Sequence, residues 1–257
     1  MKTELIGNFL LEKFPLSNCQ KWDNCGWNLF FDSQFKGLII CIDVTKEVLE
    51  FAIKNDCNLI ISHHPFFFYP TKKEEFLYAP YKKNLNFLLK KHKISVFSLH
   101  TNFDGTENAT AFSIAKILDL KFSKVEKIDE FNLLFHVKLK YTEILKKFRF
   151  NANLETFISN IEQNFLIKKL AILPGSGGIL PCFAAKKMKA DLVITSDLKW
   201  SDQLAIFHRK INVLQISHLI EQSFIEEVVQ ILTTKFAKIK ILKFHLTEIL
   251  KREKILC

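Results

Sequence analysis

Two adjacent histidines close an apolar, β-branched run, Leu59-Ile60-Ile61-Ser62-His63-His64-Pro65. The run has the composition of a core strand, and Pro65 cannot continue its hydrogen-bond ladder. At the carboxyl end of a strand in an open α/β sheet, side chains enter the crevice where ligands bind. Neutral imidazole is the commonest nitrogen donor for Zn, Fe, Ni or Cu, so a His-His pair there reads as metal ligation. For a single ring the plainer reading is a satisfied core histidine.

Three further segments share this design. Ile94–Leu99 reads as a strand ending in His100, Thr101, Asn102 and Asp104. Leu192–Thr195 reads as a strand followed by Ser196 and Asp197, and Ile211–Ile216 as one followed by His218 and Glu221. A parallel sheet brings such ends to one edge, where residues distant in sequence can meet. Strand ends also meet solvent, and polar residues there are ordinary. However, four of the eight histidines fall at these ends, which favours a metal site.

The elements that would position these residues alternate. Helix 3–14 leads, followed by strand 37–44, helix 46–57, strand 58–62, a long loop over 65–83, helix 84–92, strand 94–99 and helix 107–119. After residue 125 come strand 131–140, helical patterns over 142–150 and 153–165, and strand 168–173. Helix 180–188, strand 191–195, helix 199–209, strand 211–216, helix 220–235 and a late strand in 237–246 complete the pattern. This rhythm predicts an α/β fold with a mostly parallel sheet. Gly175-Ser176-Gly177-Gly178 reads either as an anion-binding nest or as a tight turn; it has neither the P-loop Lys nor dinucleotide-fingerprint spacing. The loop carries Phe66, Phe67, Phe68, Tyr69 and Tyr78. Those aromatics suit a partner interface, a lid over the site, or core packing.

The chain has 257 residues, 48% of them hydrophobic, enough for one large or two small domains. No apolar run reaches the roughly 18 residues of a membrane span, and the N-terminus reads as an amphipathic helix, not an export signal. The six Cys, at 19, 25, 41, 57, 182 and 257, show no CxxC pairing. The expectation is a cytoplasmic chain with reduced thiols and no Cys-based zinc site. The net charge of +10 permits a nucleic-acid partner. The basic residues are nearly all Lys, and no aromatic-basic recognition motif is present, so this reading is the weaker one.

Taken together, WDNCGW (22–27), ISHHPFFF (61–68), LHTNFD (99–104), PGSGG (174–178), DLVITSDLKW (191–200) and SHLIEQSF (217–224) resemble the Nif-three-like, dinuclear-metal-centre family. That family is also labelled GTP cyclohydrolase I type 2 homologue. The resemblance implies two intertwined α/β domains with mixed, mostly parallel sheets flanked by helices. Residues 1–125 would form the first and 126–221 the second, with 222–257 packing back on the first. It also implies a pair of divalent metals and assembly into a toroidal homohexamer. Carried over by motif, the metal ligands are His63, His64, Asp104 and His218. The family's last carboxylate lies four residues after the final His. Here that position is Gln222, so the ligand role is assigned to Glu221, three residues after; the Gln222 carbonyl oxygen is the weaker alternative.

The residue chemistry suits such a site. Imidazoles supply nitrogen donors, and Asp104 and Glu221 can bridge or share two cations. Two metals about 3.5–4 Å apart acidify a bridging water for hydrolysis. His100 and Asp104 are the candidate catalytic residues, His100 as general acid/base or as a ligand-orienting group. Asp197 and Asp23 are candidates for supporting contacts, and Asp23 also suits a turn cap. The expected function is metal-dependent hydrolysis of a small, nucleotide-like substrate. The alternatives are a non-enzymatic metal-binding or scaffold protein, or a nucleic-acid-binding ring. His and carboxylate donors accept Zn, Mn, Fe, Co or Ni.

Overall fold

The computed structural model describes residues 1–249 except 153, 155, 156 and 163. The chain divides into two compact units. The first is Met1–Thr106 with Phe224–Leu246; the second is built on Glu107–Ser223. The chain therefore leaves the first unit, builds the second and returns. Among the described residues no helix is long and apolar enough to cross a membrane.

The first unit begins with helix α1 (Thr3–Lys13), whose Ile6 and Leu10 are buried. A 3-10 turn (Leu16–Asn18) leads to strand β1 (Gly26–Leu29). Strand β2 (Leu38–Cys41), helix α2 (Lys46–Lys54), strand β3 (Leu59–Ser62), helices α3 (Lys72–Tyr78) and α4 (Tyr81–Lys91), strand β4 (Ser95–Ser98) and the single turn α5 (Thr101–Asp104) follow. Every residue of β2, β3 and β4 is buried, as expected for parallel strands covered on both faces. β2 pairs parallel with β3, and β3 with β4, while β1 closes the edge antiparallel to β4. Thr45 starts α2 by accepting the Val48 N–H at 3.3 Å, which satisfies one of the helix's orphan donors.

The segment expected as a loop over 65–83 contains helix α3 and the start of α4. Its signal was in the sequence: Thr71 and Glu74 form a reciprocal capping box, the T-x-x-E pattern of a helix start. Phe66 and Phe67 are buried in the core with Val48, Ile60 and Leu89, whereas Phe68 and Tyr78 are exposed. Core packing therefore accounts for the first two aromatics. Glu75 is buried here. Its carboxylate accepts the N–H groups of Phe68 and Tyr69 at 2.6 and 2.8 Å and the Lys82 ammonium at 2.6 Å.

The second unit holds helix α6 (Ala109–Ile117), strands β5 (Lys124–Lys127) and β6 (Leu133–Lys140), helix α7 (Tyr141–Ala152), and strands β7 (Ile158–Ser159) and β8 (Leu166–Ile172). It continues with helix α8 (Ile179–Lys187), strand β9 (Leu192–Thr195), helix α9 (Trp200–His208) and strand β10 (Val213–Gln215). The sheet order is β5-β6-β8-β9-β10-β7. It is parallel at β8–β9 and β9–β10 and antiparallel at its other pairings. Helix α6, read in the sequence with the first half, packs its Ala111, Ile114 and Leu118 into the second unit's core beside Phe135, Phe148 and Ile172.

The helical reading of 153–165 does not hold for its described part. Residues 153, 155, 156 and 163 lie outside the described residues, and Ile158–Ser159 form an edge strand antiparallel to β10. Asn160 accounts for the difference. Its amide donates to the Ile211 carbonyl at 2.8 Å and accepts the Val213 N–H at 2.9 Å. Such side-chain bonds to a strand's backbone compete with helix formation.

Helix α10 (Ser223–Lys235) and strand β11 (Ile241–Lys243) belong to the first unit, where β11 pairs parallel with β2. The completed first sheet reads β1-β4-β3-β2-β11. Replacing Glu75 with Ala would strand the Lys82 ammonium and the Phe68 and Tyr69 amides. The expected cost is about 3–5 kcal/mol, as for removal of one partner of a buried ion pair. It is read as a lowered urea midpoint; an unchanged midpoint would mean that this carboxylate does not hold the segment together.

Candidate metal centre

In the first unit, three parallel strands end side by side and carry the chain's polar residues with them. Ser62 and Ser98 are partners in the β3–β4 register, and their hydroxyls lie 3.0 Å apart. Ser62 Oγ also donates to the His64 carbonyl at 2.8 Å. Beyond the strand, the His63 and His64 amides still donate to the carbonyls of Cys41 and Ile42, at 3.1 and 2.9 Å. Both histidines are therefore fixed by backbone bonds although they stand past the end of β3.

His63 is fully buried. Its ring lies against Phe224 (centroids 5.0 Å apart) and Phe103 (6.2 Å), and these two phenylalanines pack edge to face. Nδ1 stands 2.9 Å from the Leu99 carbonyl oxygen. A carbonyl only accepts, so Nδ1 carries the proton, and when the ring is neutral its lone pair is at Nε2. Nε2 lies 3.7 Å from Asp104 Oδ1. His64 repeats the arrangement, with Nδ1 3.0 Å from Asp43 Oδ1. His100 Nδ1 lies 3.0 Å from Asp23 Oδ2, an ion-pair contact rather than an aligned hydrogen bond. The ligand atoms of His63, His64 and His100 lie within 4.8 Å of one another. An Nδ1–H held by a carboxylate or carbonyl is the usual way a protein aims Nε2 at a metal.

Asp23 is more than a turn cap. Burial would raise its pKa. The adjacent His100 imidazole and the hydrogen bonds from Thr101 and Cys25 together outweigh it and hold the carboxyl well below the usual carboxylate range. The Thr101 N–H also donates to Asp23 Oδ2 at 3.1 Å, so the WDN segment anchors the start of α5. Asp43 was not among the residues expected from the sequence. Its signal was the alignment of β2 with β3, whose carboxyl ends lie at the same sheet edge.

The second unit holds its own donor set. His218 Nδ1 is hydrogen-bonded to Asp197 Oδ2, and Nε2 lies 2.8 Å from Glu221 Oε2. Burial would lower the His218 pKa, but the two carboxylates outweigh it and raise it to about 10. Residues 218–222 form a 3-10 turn rather than the start of an α-helix. In a 3-10 turn, positions i and i+3 eclipse. This explains why Glu221, and not the residue four positions on, meets the imidazole.

The glycine turn supports this pair. Gly175 has φ +55°, and a Cβ built there would come within 2.6 Å of Glu221 Oε1. Its carbonyl accepts the Ser196 N–H at 2.9 Å and the Thr195 hydroxyl at 3.3 Å. The tight-turn reading of this segment thus has a specific content: it leaves space for the Glu221 carboxylate. Asp104 lies in the first unit and His218 and Glu221 in the second.

A family model described as Duf34/NIF3 (NGG1p interacting factor 3) matches residues 1–250, and the chain belongs to that family. It is similar to the GTP cyclohydrolase 1 type 2 homolog of Mycoplasmopsis pulmonis, with 35% identity over 89% of this chain and 92% of that protein. It is also 29% identical to the GTP cyclohydrolase 1 type 2 of Helicobacter pylori over 79% of this chain and 80% of that one. Among solved structures, a Staphylococcus aureus hypothetical protein superposes with TM-score 0.85 at 22% identity, covering 98% of this chain and 99% of that chain. A Bacillus cereus protein related to NIF3 gives TM-score 0.81 at 14% identity, with 96% and 97% covered. These likenesses establish the two-sheet α/β fold.

Gly175→Ala would force Glu221 aside and place a side chain at a left-handed backbone position. Its expected cost is about 1–3 kcal/mol, read as a lowered thermal midpoint. Ser176→Ala, at the exposed neighbour, should leave the midpoint unchanged. Equal midpoints for both variants would show that Glu221 does not need the space.

Proposed function

We propose that the chain binds two divalent cations and uses them to hydrolyse a small, nucleotide-like substrate. The observation that supports this most is the common state of His63, His64 and His100. Each has Nδ1 within 3.0 Å of an oxygen, hydrogen-bonded in His63 and His64, and their ligand atoms lie within 4.8 Å of one another. In this reading the metal ligands are His63, His64, Asp104, His218 and Glu221. The donor set fits: imidazole nitrogen and carboxylate oxygen suit Zn, Mn, Fe, Co or Ni, and anionic ligands offset the cationic charge. The bound pair would supply an acidified water at neutral pH. His100 takes up or returns a proton at Nε2 while Asp23, kept ionised, balances the imidazolium charge. Asp43 holds the His64 ring in its ligating tautomer. The names of the relatives suggest a purine nucleotide as the substrate class to try first.

Elemental analysis of the purified chain after incubation with Zn, Mn or Fe tests this reading. About two metals per chain are expected, as in a two-metal hydrolytic site, and they should be lost in a folded His63→Ala/His64→Ala variant. Metal-loaded chain should then open or hydrolyse GTP or a related nucleotide. No metal uptake by the wild-type chain would remove the proposal. Full metal uptake without turnover of any nucleotide would leave metal binding and remove the hydrolase.

A further inference from the structure

A second chemically competent pair lies in the first unit outside the histidine cluster. Cys19 Sγ and Cys25 Sγ stand 2.6 Å apart, both partly buried. They bracket the segment carrying Trp22, Asp23 and Asn24, just after the 3-10 turn and just before β1. This segment makes several anchoring bonds. The Gln20 N–H donates to Thr101 Oγ1 at 3.0 Å, and the Asn24 amide donates to the Phe67 carbonyl at 2.8 Å. Asp23 holds His100 and the Thr101 amide. Cys25 Sγ itself donates to Asp23 Oδ2 at 3.1 Å.

Two chemistries use paired sulfurs: a thiolate metal site and a disulfide. Both sulfurs and Asp23 are close enough to hold one cation, but a metal would need both sulfurs deprotonated together, whereas thiol–disulfide exchange needs one thiolate at a time. Burial, with the neighbouring Cys19 and the Asp23 carboxylate, pushes the Cys25 thiol far up. A disulfide carries no charge, so neither burial nor Asp23 opposes it. The sulfurs are already in contact, whereas two ligands of one ion are held apart by the ion between them.

We propose that Cys19 and Cys25 form a reversible redox modification site, closing to an intramolecular disulfide that staples the Asp23 segment. The oxidant is a small-molecule disulfide. One cysteine thiolate attacks it, forming a mixed disulfide and releasing one small thiol. The second cysteine then attacks the mixed disulfide, forming the Cys19–Cys25 bond and releasing the other small thiol. The two protein sulfurs lose two electrons and two protons, and the oxidant gains them. Closure covalently fixes the loop whose Asp23 orients His100. The site is separate from the metal-binding proposal, since neither sulfur is assigned to the metals.

The test equilibrates the full chain, as Cys257→Ser, with mixtures of oxidised and reduced dithiothreitol, followed by alkylation and tryptic mass mapping. Cleavage after Lys21 separates the two cysteines, so a bond between them appears as residues 14–21 joined to residues 22–36. The expected result is that joined pair, with loss of both alkylatable thiols in oxidising mixtures and full recovery in reducing ones. Cys25→Ser should abolish the joined pair. Persistence of both free thiols across the series would overturn the proposal. So would cross-links to Cys41, Cys57 or Cys182 in place of this one. Zinc bound stoichiometrically and lost in Cys25→Ser would overturn it in favour of a thiolate metal site.

Discussion

The first unit depends on a buried imidazole that has to be satisfied. His63 has no solvent contact, and a buried polar group without a partner costs a few kcal/mol, about 1–3 by mutational measures. The Leu99 carbonyl at 2.9 Å meets that demand at Nδ1. Leu99 can do so because its own N–H donates to the Ser62 carbonyl at 2.9 Å, which carries the β3–β4 pairing past the strand ends. The same bond fixes the tautomer, so the backbone pairing decides which nitrogen can ligate. Phe103 and Phe224 then hold the ring in place. One of these aromatics comes from the turn that carries Asp104, and the other from the helix that returns after the second unit.

The same economy recurs around the cluster. Asp43 does for His64 what Leu99 does for His63, and Asp23 stands beside His100 as an ion-pair partner. Each partner comes from a different stretch of chain, and parallel pairing brings β2, β3 and β4 to one edge. In the second unit the roles differ. Both His218 nitrogens face carboxylates, which favours the imidazolium in the metal-free chain. A cation held there would take over the charge that the proton now supplies.

Much of this was legible in the sequence because it rests on short-range patterns. Continuous apolar runs marked β2, β3, β4 and β9, and the polar residues following them marked the strand ends. Helix α3 and the first turn of α4 were missed because an aromatic-rich run masked the Thr71–Glu74 box, although that box is a local signal. The β7 strand was not legible from periodicity. Asn160 uses its side chain to join β10, a long-range pairing that a helical-looking pattern conceals. Asp43 was overlooked for a similar reason: its value lies in the β2–β3 register rather than in its neighbours. The choice between positions 221 and 222 needed the turn type. A 3-10 turn eclipses i and i+3, and the sequence did not distinguish it from an α-helix.

The central claim is that the imidazoles ending β3 ligate a divalent cation through Nε2. X-ray absorption at the metal edge of the zinc-loaded chain tests it directly. The account predicts imidazole scattering with nitrogen at about 2.0–2.1 Å, the usual Zn–N distance, and a smaller imidazole contribution in His64→Ala. A shell of oxygens alone, unchanged in that variant, would contradict it.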